Sequence, residues 1–216
     1  MWIRSDLRVI TGKELVVMGT GGHATVVIDI ALSNQTHVLG VVGPDKPSFP
    51  PSYCAYLGDD NILSNLDREI TQIAVGVGSI GNLEFRRGLF NKALGLGFAL
   101  PAIMHARSCV APCASLGSGV QVMAGAIINP GAEIQENAII NTGAIIEHHV
   151  RVGADAHIAP GSIVCGEAII GEGVHVGTGA TVLQGIRIGK GAFIAAGAVV
   201  IGDVAAGVTI KGVPGR

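Results

Sequence analysis

The sequence predicts two units in series. Residues 1–103 read as a small α/β unit with a Rossmann-like parallel sheet, and residues 104–216 as a parallel β-helix of hexapeptide repeats. Three observations predict this. Aliphatic residues recur at six-residue intervals without a gap from Val110 through Leu116, Val122 and Ile128 to Val200. Four positions after each stands a small or branched residue such as Ala126, Ala144 or Ser162, and the third position after each is very often glycine. Before residue 104 the pattern changes to alternating strand-like and helix-like segments with short connections, which implies a parallel sheet covered by helices. A period of six with one large and one small inward residue is the signature of a β-helix built from hexapeptides.

Composition agrees with that reading. The 33 glycines and the 4% aromatic content suit a narrow interior that admits Val, Ile and Ala but few rings. Burying each large coil residue contributes about 1.5–3 kcal/mol, most of which is offset by ordering the backbone. An open-ended solenoid also needs its ends and flat faces covered, so a homo-oligomer is expected. The net charge of −2 leaves no basic footprint for nucleic acid. No run of eighteen apolar residues occurs, which predicts no membrane span. The segment 1–14 carries Arg4, Asp6, Arg8, Lys13 and Glu14 and does not read as a signal peptide. The four cysteines, Cys54, Cys109, Cys113 and Cys165, show no disulfide framework, and a cytoplasmic location is expected.

Taken in order, residues 15–22 read as a buried strand entering a glycine turn, and residues 23–33 as a helix with Val26, Val27, Ile30 and Ala31 on one face. A second strand covers 38–42, and a proline-rich loop runs from Pro44 to Pro51. Asp59 or Asp60 can cap a short helix bearing Ile62, Leu63 and Leu66. A third strand is expected over 70–77, then a helix over 82–94 that offers Phe85, Leu89 and Phe90 to a core. A fourth strand over 98–103 leads into the coil. Beyond Val200 the period fails.

Two groups of residues can carry chemistry. Gly19-Thr20-Gly21-Gly22-His23-Ala24 fits the pattern of a phosphate-binding turn between a strand and a helix. There glycines let the backbone approach and the helix N-terminus supplies N–H donors. A dinucleotide site wants an acidic residue at the end of the second strand. Gly43-Pro44 occupies that place and Asp45 follows, so the pyrophosphate of a nucleotide sugar is the better ligand. The second group is histidine in the coil. His148 and His149 break an apolar stretch as Glu147-His148-His149, while His157 and His175 each precede a core residue, Ile158 and Val176. With eighteen residues per turn, His157 and His175 should stack one strand spacing apart, roughly 5 Å.

These motifs resemble one family. The Gly-x-Gly-Gly-His-Ala turn, the small α/β half, the segment Ile140-Asn141-Thr142-Gly143-Ala144-Ile145-Ile146-Glu147-His148 followed by Gly153 and His157, and the ending Gly212-Val-Pro-Gly-Arg216 look like the sialic acid O-acetyltransferases and sugar-nucleotide N-acetyltransferases, including bacillosamine-type N-acetyltransferases. The resemblance covers about residues 15–216. It implies a left-handed coil, acetyl-CoA as co-substrate, no metal, a homotrimer with active sites between subunits, and a sugar or nucleotide sugar as acceptor. It further implies His148 as general base with Asn141 beside it, His157 at the acetyl donor, and a Gly166 backbone N–H near the thioester. Cys165 and His175 flank that donor region, and Gly19, Thr20, Gly21, Gly22, His23 and Asp45 form the expected substrate set.

The chain departs from the family twice. His149 stands where several members have the glutamate that orients the base, leaving Asn141 and Glu147 as alternative partners for His148; alternation along a strand turns Glu147 away. Gly43-Pro44-Asp45 also replaces a pair of aspartates that contacts the nucleotide base. The expected function is N-acetylation of a nucleotide-linked 4-amino sugar for surface glycan synthesis, with O-acetylation of sialic acid as the alternative. Two further alternatives are a non-catalytic sugar-nucleotide binding protein and a trimeric zinc hydratase. The zinc enzymes of this coil type use two histidines five positions apart, a spacing absent here.

Overall fold

The computed structural model describes residues 13–47, 54–79 and 83–212. They divide into a unit ending at Ala106 and a unit beginning at Arg107. The expectations for residues 1–12, for part of the proline-rich loop and for residues 213–216 lie outside the described residues.

In the first unit, β1 (Glu14–Met18), β2 (Val38–Val42), β3 (Tyr56–Gly58) and β4 (Thr71–Val75) form an all-parallel sheet in the order β3-β2-β1-β4. Helices α1 (Gly22–Ser33) and α2 (Leu83–Gly95) accompany it. The strands β1 and β4 are almost wholly buried, as a parallel sheet covered on both faces requires, and β4 takes Thr71 and Gln72 into the interior with Ile73, Ala74 and Val75. Strand β3 was not expected, and the segment after Asp59 is a 3-10 helix over Asp60–Asn65, capped by the Asp59 side chain on the Asn61 N–H. The strand expected over 98–103 shrinks to one bridge, Gln72 to Ala99, because Pro101 has no N–H to give a ladder. On α1 the buried set is Ala24, Val27, Ile28, Ile30 and Ala31, while Val26 faces outward.

In the second unit every strand is two residues long, and three parallel sheets stack along the coil. One begins Cys109–Val110, Ile127–Ile128, Ile145–Ile146; the next Ser115–Leu116, Glu133–Ile134, Arg151–Val152; the third includes Gln121–Val122, Ile139–Ile140, His157–Ile158. Partners are eighteen residues apart throughout this stretch, so three hexapeptides close one turn. From Val122 to Val200 every ladder residue is buried; Val110 and Leu116, at the first turn, are half-buried. After Val200 the connection shortens by two residues. Val204 bridges Ile188 and Thr209–Ile210 joins the sheet beside Phe193–Ile194, so the coil runs on past the failed period.

From Gly119 to Gly197 the third position after each ladder residue is a left-handed slot. Gly143 has φ +65°, and Asn137, His149, Asp155 and Glu167 occupy the same slot with φ between 56° and 62°. Such a slot favours glycine and admits Asn, Asp and His with less strain than other residues. Gly153, at the first position after Val152, is constrained differently. A Cβ on Gly153 would stand 2.5 Å from the Glu172 backbone N one turn later. The register also builds a column of rings. His157 pairs with His175 and His175 with Phe193; the ring centroids are 5.0 and 4.8 Å apart. Among the described residues no helix is long and apolar enough to cross a membrane.

Two outcomes follow from this packing. Gly153→Ala, which forces backbone against backbone, costs about 1–3 kcal/mol, whereas Gly143→Asn costs less than about 1 kcal/mol; urea unfolding of the two variants checks the contrast. Burial pushes the His175 imidazole below its ordinary value of 6.5. Its folded form therefore resists the proton that the unfolded chain accepts. That makes its contribution to stability constant above 6.5 and progressively lost as pH falls from there to the folded value. His175→Phe, which keeps a ring in the column, flattens the fall of melting temperature between pH 7.5 and 5.

Candidate active site

The α/β unit contains a cavity of about 190 Å³ at the C-terminal ends of its strands, where ligands of open parallel sheets sit. Gly19, Thr20 and Gly21 form one wall, Gly43 and Pro44 another, and Phe85 and Leu89 of α2 a third. Gly19 has φ +139°, and a Cβ there would meet the Gly76 carbonyl oxygen at 2.5 Å, so only glycine lets the chain leave β1 this close to the exit of β4. Gly21 caps α1 in extended conformation with no side-chain cap bond and no acidic residue in the first turn. No acidic side chain therefore neutralises the positive end of the helix, which favours an anion there.

The expected substrate set divides. Gly19, Thr20 and Gly21 line the cavity; Gly22 and His23 begin α1, and Asp45 lies exposed just past Pro44, outside the lining. Phe85, expected in the core, is 55% exposed at the mouth of the cavity. Asp60, also in the lining, is paired with Lys92 at 3.1 Å. Sequence reasoning missed both. The available signal was that few aromatic residues occur in this chain, so one on an otherwise mixed helix face invites a stacking role.

In the coil the histidines form two groups on different corners. The turn after Ile145–Ile146 carries His148 and His149, both exposed. Their Nδ1 atoms are 3.2 Å apart and the rings meet edge to face at 5.4 Å. The His148 ring lies against Gly166, one turn later, where a Cβ would come within 2.6 Å of Nε2; the His149 ring lies against Gly131, one turn earlier, where a Cβ would come within 2.9 Å of its Nε2. Gly166 is buried, and its own N–H donates to no described residue. The same hexapeptide position holds Pro130 and Pro160, so the coil itself does not need that N–H.

The neighbouring corner, after Ile139–Ile140, carries Asn141. Its Nδ2 stands 2.9 Å from His157 Nε2, and its Oδ1 accepts from the Thr142 N–H. His157 is 5% exposed and joined to His175 by the ring contact. Thus Asn141 serves His157, and Glu147 is drawn to the preceding turn, where it accepts from Asn129 Nδ2 at 3.1 Å. The side chain that meets His148 Nδ1 is His149. Cys165, beside Gly166, is half-buried and, like the other three cysteines, free. No group of three or more His, Cys, Asp or Glu that could hold a metal ion is found among the described residues.

Comparison with known proteins identifies two domain families and several solved relatives. The PglD N-terminal domain model matches residues 14–93, and the bacterial transferase hexapeptide (six repeats) model matches residues 167–202. Among solved structures, the acetyltransferase domain of PglB from Neisseria gonorrhoeae FA1090 in complex with acetyl coenzyme A is 34% identical with a TM-score of 0.87, the match covering 95% of this chain and 99% of that one. PerB from Caulobacter crescentus, solved with CoA and GDP-perosamine, is 35% identical with a TM-score of 0.84 over 97% of this chain and 99% of that one. WeeI from Acinetobacter baumannii AYE, 20% identical over 94% of this chain and 99% of that one, has a TM-score of 0.65 and shares the fold. No curated protein matches significantly. An α/β unit of the PglD type followed by a left-handed hexapeptide coil, matched nearly end to end at this identity, places the chain in the family of hexapeptide-repeat sugar N-acetyltransferases.

Proposed function

We propose that this protein transfers the acetyl group of acetyl-CoA to the amino group of a nucleotide-linked 4-amino sugar, in the cytoplasm, as a step of surface glycan synthesis. The observation that carries this reading is the seat of His148. Its imidazole lies in a turn with Nε2 toward Gly166 and Nδ1 toward His149, against a glycine whose backbone N–H has no described partner.

That arrangement supplies what an aminolysis of a thioester needs. The sugar amine attacks the thioester carbonyl carbon while His148 Nε2 accepts the proton that the nitrogen sheds. The carbonyl oxygen, now an anion, accepts from the Gly166 N–H, a donor fixed in place before the charge develops. Collapse breaks the C–S bond, and His148 returns its proton to the departing sulfur, giving the amide and free CoA. The thioester is already activated, so no acyl-enzyme on Cys165 is required. Asn141 and His157, locked to each other, with His175 behind them, form the polar ledge assigned to the donor. In the α/β unit the cavity under Gly19–Gly21 receives the nucleotide, its pyrophosphate toward the α1 N-terminus and Phe85 against the base.

The outer faces of the coil support a homotrimer. The sheet containing Ile145 turns Ile127, Ile145 and Ile163 outward before Thr181, whereas the sheet containing Arg151 turns Glu133, Arg151, Ile169 and Arg187 outward, one apolar residue among charged ones. An apolar strip of this kind is what a second copy covers. His148 follows directly on that strip, so the catalytic turn stands at the edge of the proposed subunit interface.

A thiol-release assay with acetyl-CoA and nucleotide-linked 4-amino sugars, GDP-perosamine among them, tests the reading. His148→Ala lowers kcat about 10²–10⁴-fold. Gly166→Ala, whose methyl would occupy the place of the ring, lowers kcat at least tenfold, while its far-ultraviolet circular dichroism is unchanged. Thiol release by neither the parent nor any variant with any amino-sugar nucleotide would overturn the proposal.

A further inference from the structure

A base that accepts a proton on Nε2 must carry its own ring hydrogen on Nδ1, and a second group must hold it in that tautomer. The commonest partner is a carboxylate. The nearby carboxylates are committed elsewhere or stand off the ring. Glu147 accepts from Asn129 Nδ2, and Glu167, in the left-handed slot one turn later, is exposed and gives its N–H to the His148 carbonyl. Arg151, the nearest cation in sequence, pairs with Glu133. What faces His148 Nδ1 is His149 Nδ1, at 3.2 Å.

Two imidazole nitrogens at that distance need one proton between them. With none, two lone pairs face each other; with two, the hydrogens collide. The contact therefore couples the tautomers reciprocally: if one ring is the Nδ1–H form, the other is the Nε2–H form. We infer that His149 is the positioning residue of the reaction: its neutral Nδ1 accepts from His148 Nδ1–H and so leaves His148 Nε2 bare toward Gly166. This rests on the reading of His148 as general base.

Two constraints hold His149 in this role. Its backbone sits at φ 56°, in the slot that glycine fills in most hexapeptides. Its ring then lies over Gly131, where any side chain would occupy the same space. A histidine is a costly occupant of a slot made for glycine, and the contact with His148 is what it gives in return. The pair also differs chemically from an imidazole beside a carboxylate. There is no fixed negative charge to stabilise the imidazolium, and protonation of either ring removes the bare nitrogen at His148.

Long-range proton–nitrogen spectra of the full-length protein labelled with ¹⁵N-histidine test this without a substrate. At pH 8 the expected result is His148 with Nδ1 protonated and Nε2 bare, and His149 the reverse. In His149→Gly, which suits the slot and folds, His148 reverts to a mixture dominated by the Nε2–H form. His148 found as Nε2–H in the parent protein would overturn the inference. Kinetics provide the second arm. His149→Gly loses 10–100-fold in kcat with acetyl-CoA KM within about twofold, His149→Asn recovers most of it because its amide oxygen accepts in the same place, and His149→Glu moves the acid limb of kcat upward by about one pH unit. If His148→Ala is inactive while His149→Gly and His149→Glu match the parent, the base stands and His149 merely fills a turn. If His148→Ala is fully active, the base reading itself fails.

Discussion

Everything in the coil depends on one constraint: parallel strands two residues long, paired in a register of eighteen. Because each residue sits beside those eighteen positions before and after it, the sequence becomes a set of columns. Inward columns hold Val, Ile and Ala and supply the apolar burial that offsets backbone ordering. Outward columns are not confined to small apolar residues and can carry polar side chains, buried as at His157 or exposed as at Arg151. The His148 imidazole fits because the next residue in its column is glycine, and the same is true of His149 in the opposite direction. Substituting either glycine displaces an imidazole without changing either histidine.

The register also separates functions that are close in sequence. Asn141, Glu147 and His148 lie within eight residues, yet they end at different places. Asn141 turns to His157, Glu147 to Asn129, and His148 to His149 and Gly166. A corner of the coil thus presents an imidazole beside a glycine main chain, while the neighbouring corner presents a locked Asn–His pair. The α/β unit contributes a different kind of site, built from main chain and held open by glycines rather than by ionisable groups.

Most of the coil was legible because its signal is periodic and each burial event repeats it. The α/β unit was less so. Strands β1, β2 and β4 are apolar runs, whereas β3 is three residues, Tyr56–Gly58, with neither alternation nor length to mark it. The expected strand over 98–103 read as apolar, but Pro101 stops the ladder. Phe85 read as core because helix periodicity gives a face, not what covers it. At the candidate site, the residues His148, His157 and Gly166 could be named from pattern and resemblance. The contact between His148 and His149 could not, since alternation assumes an extended chain and His149 is in a left-handed turn.

The central claim is that acetyl transfer occurs at the His148–Gly166 turn. A crystal structure with a non-hydrolysable acetyl-CoA analogue tests it most directly. The account predicts the acetyl carbonyl oxygen at about 3 Å from the Gly166 nitrogen, with the carbonyl carbon on the side of His148 Nε2. An acetyl group ordered elsewhere on the coil, with only solvent beside the Gly166 nitrogen, would contradict it.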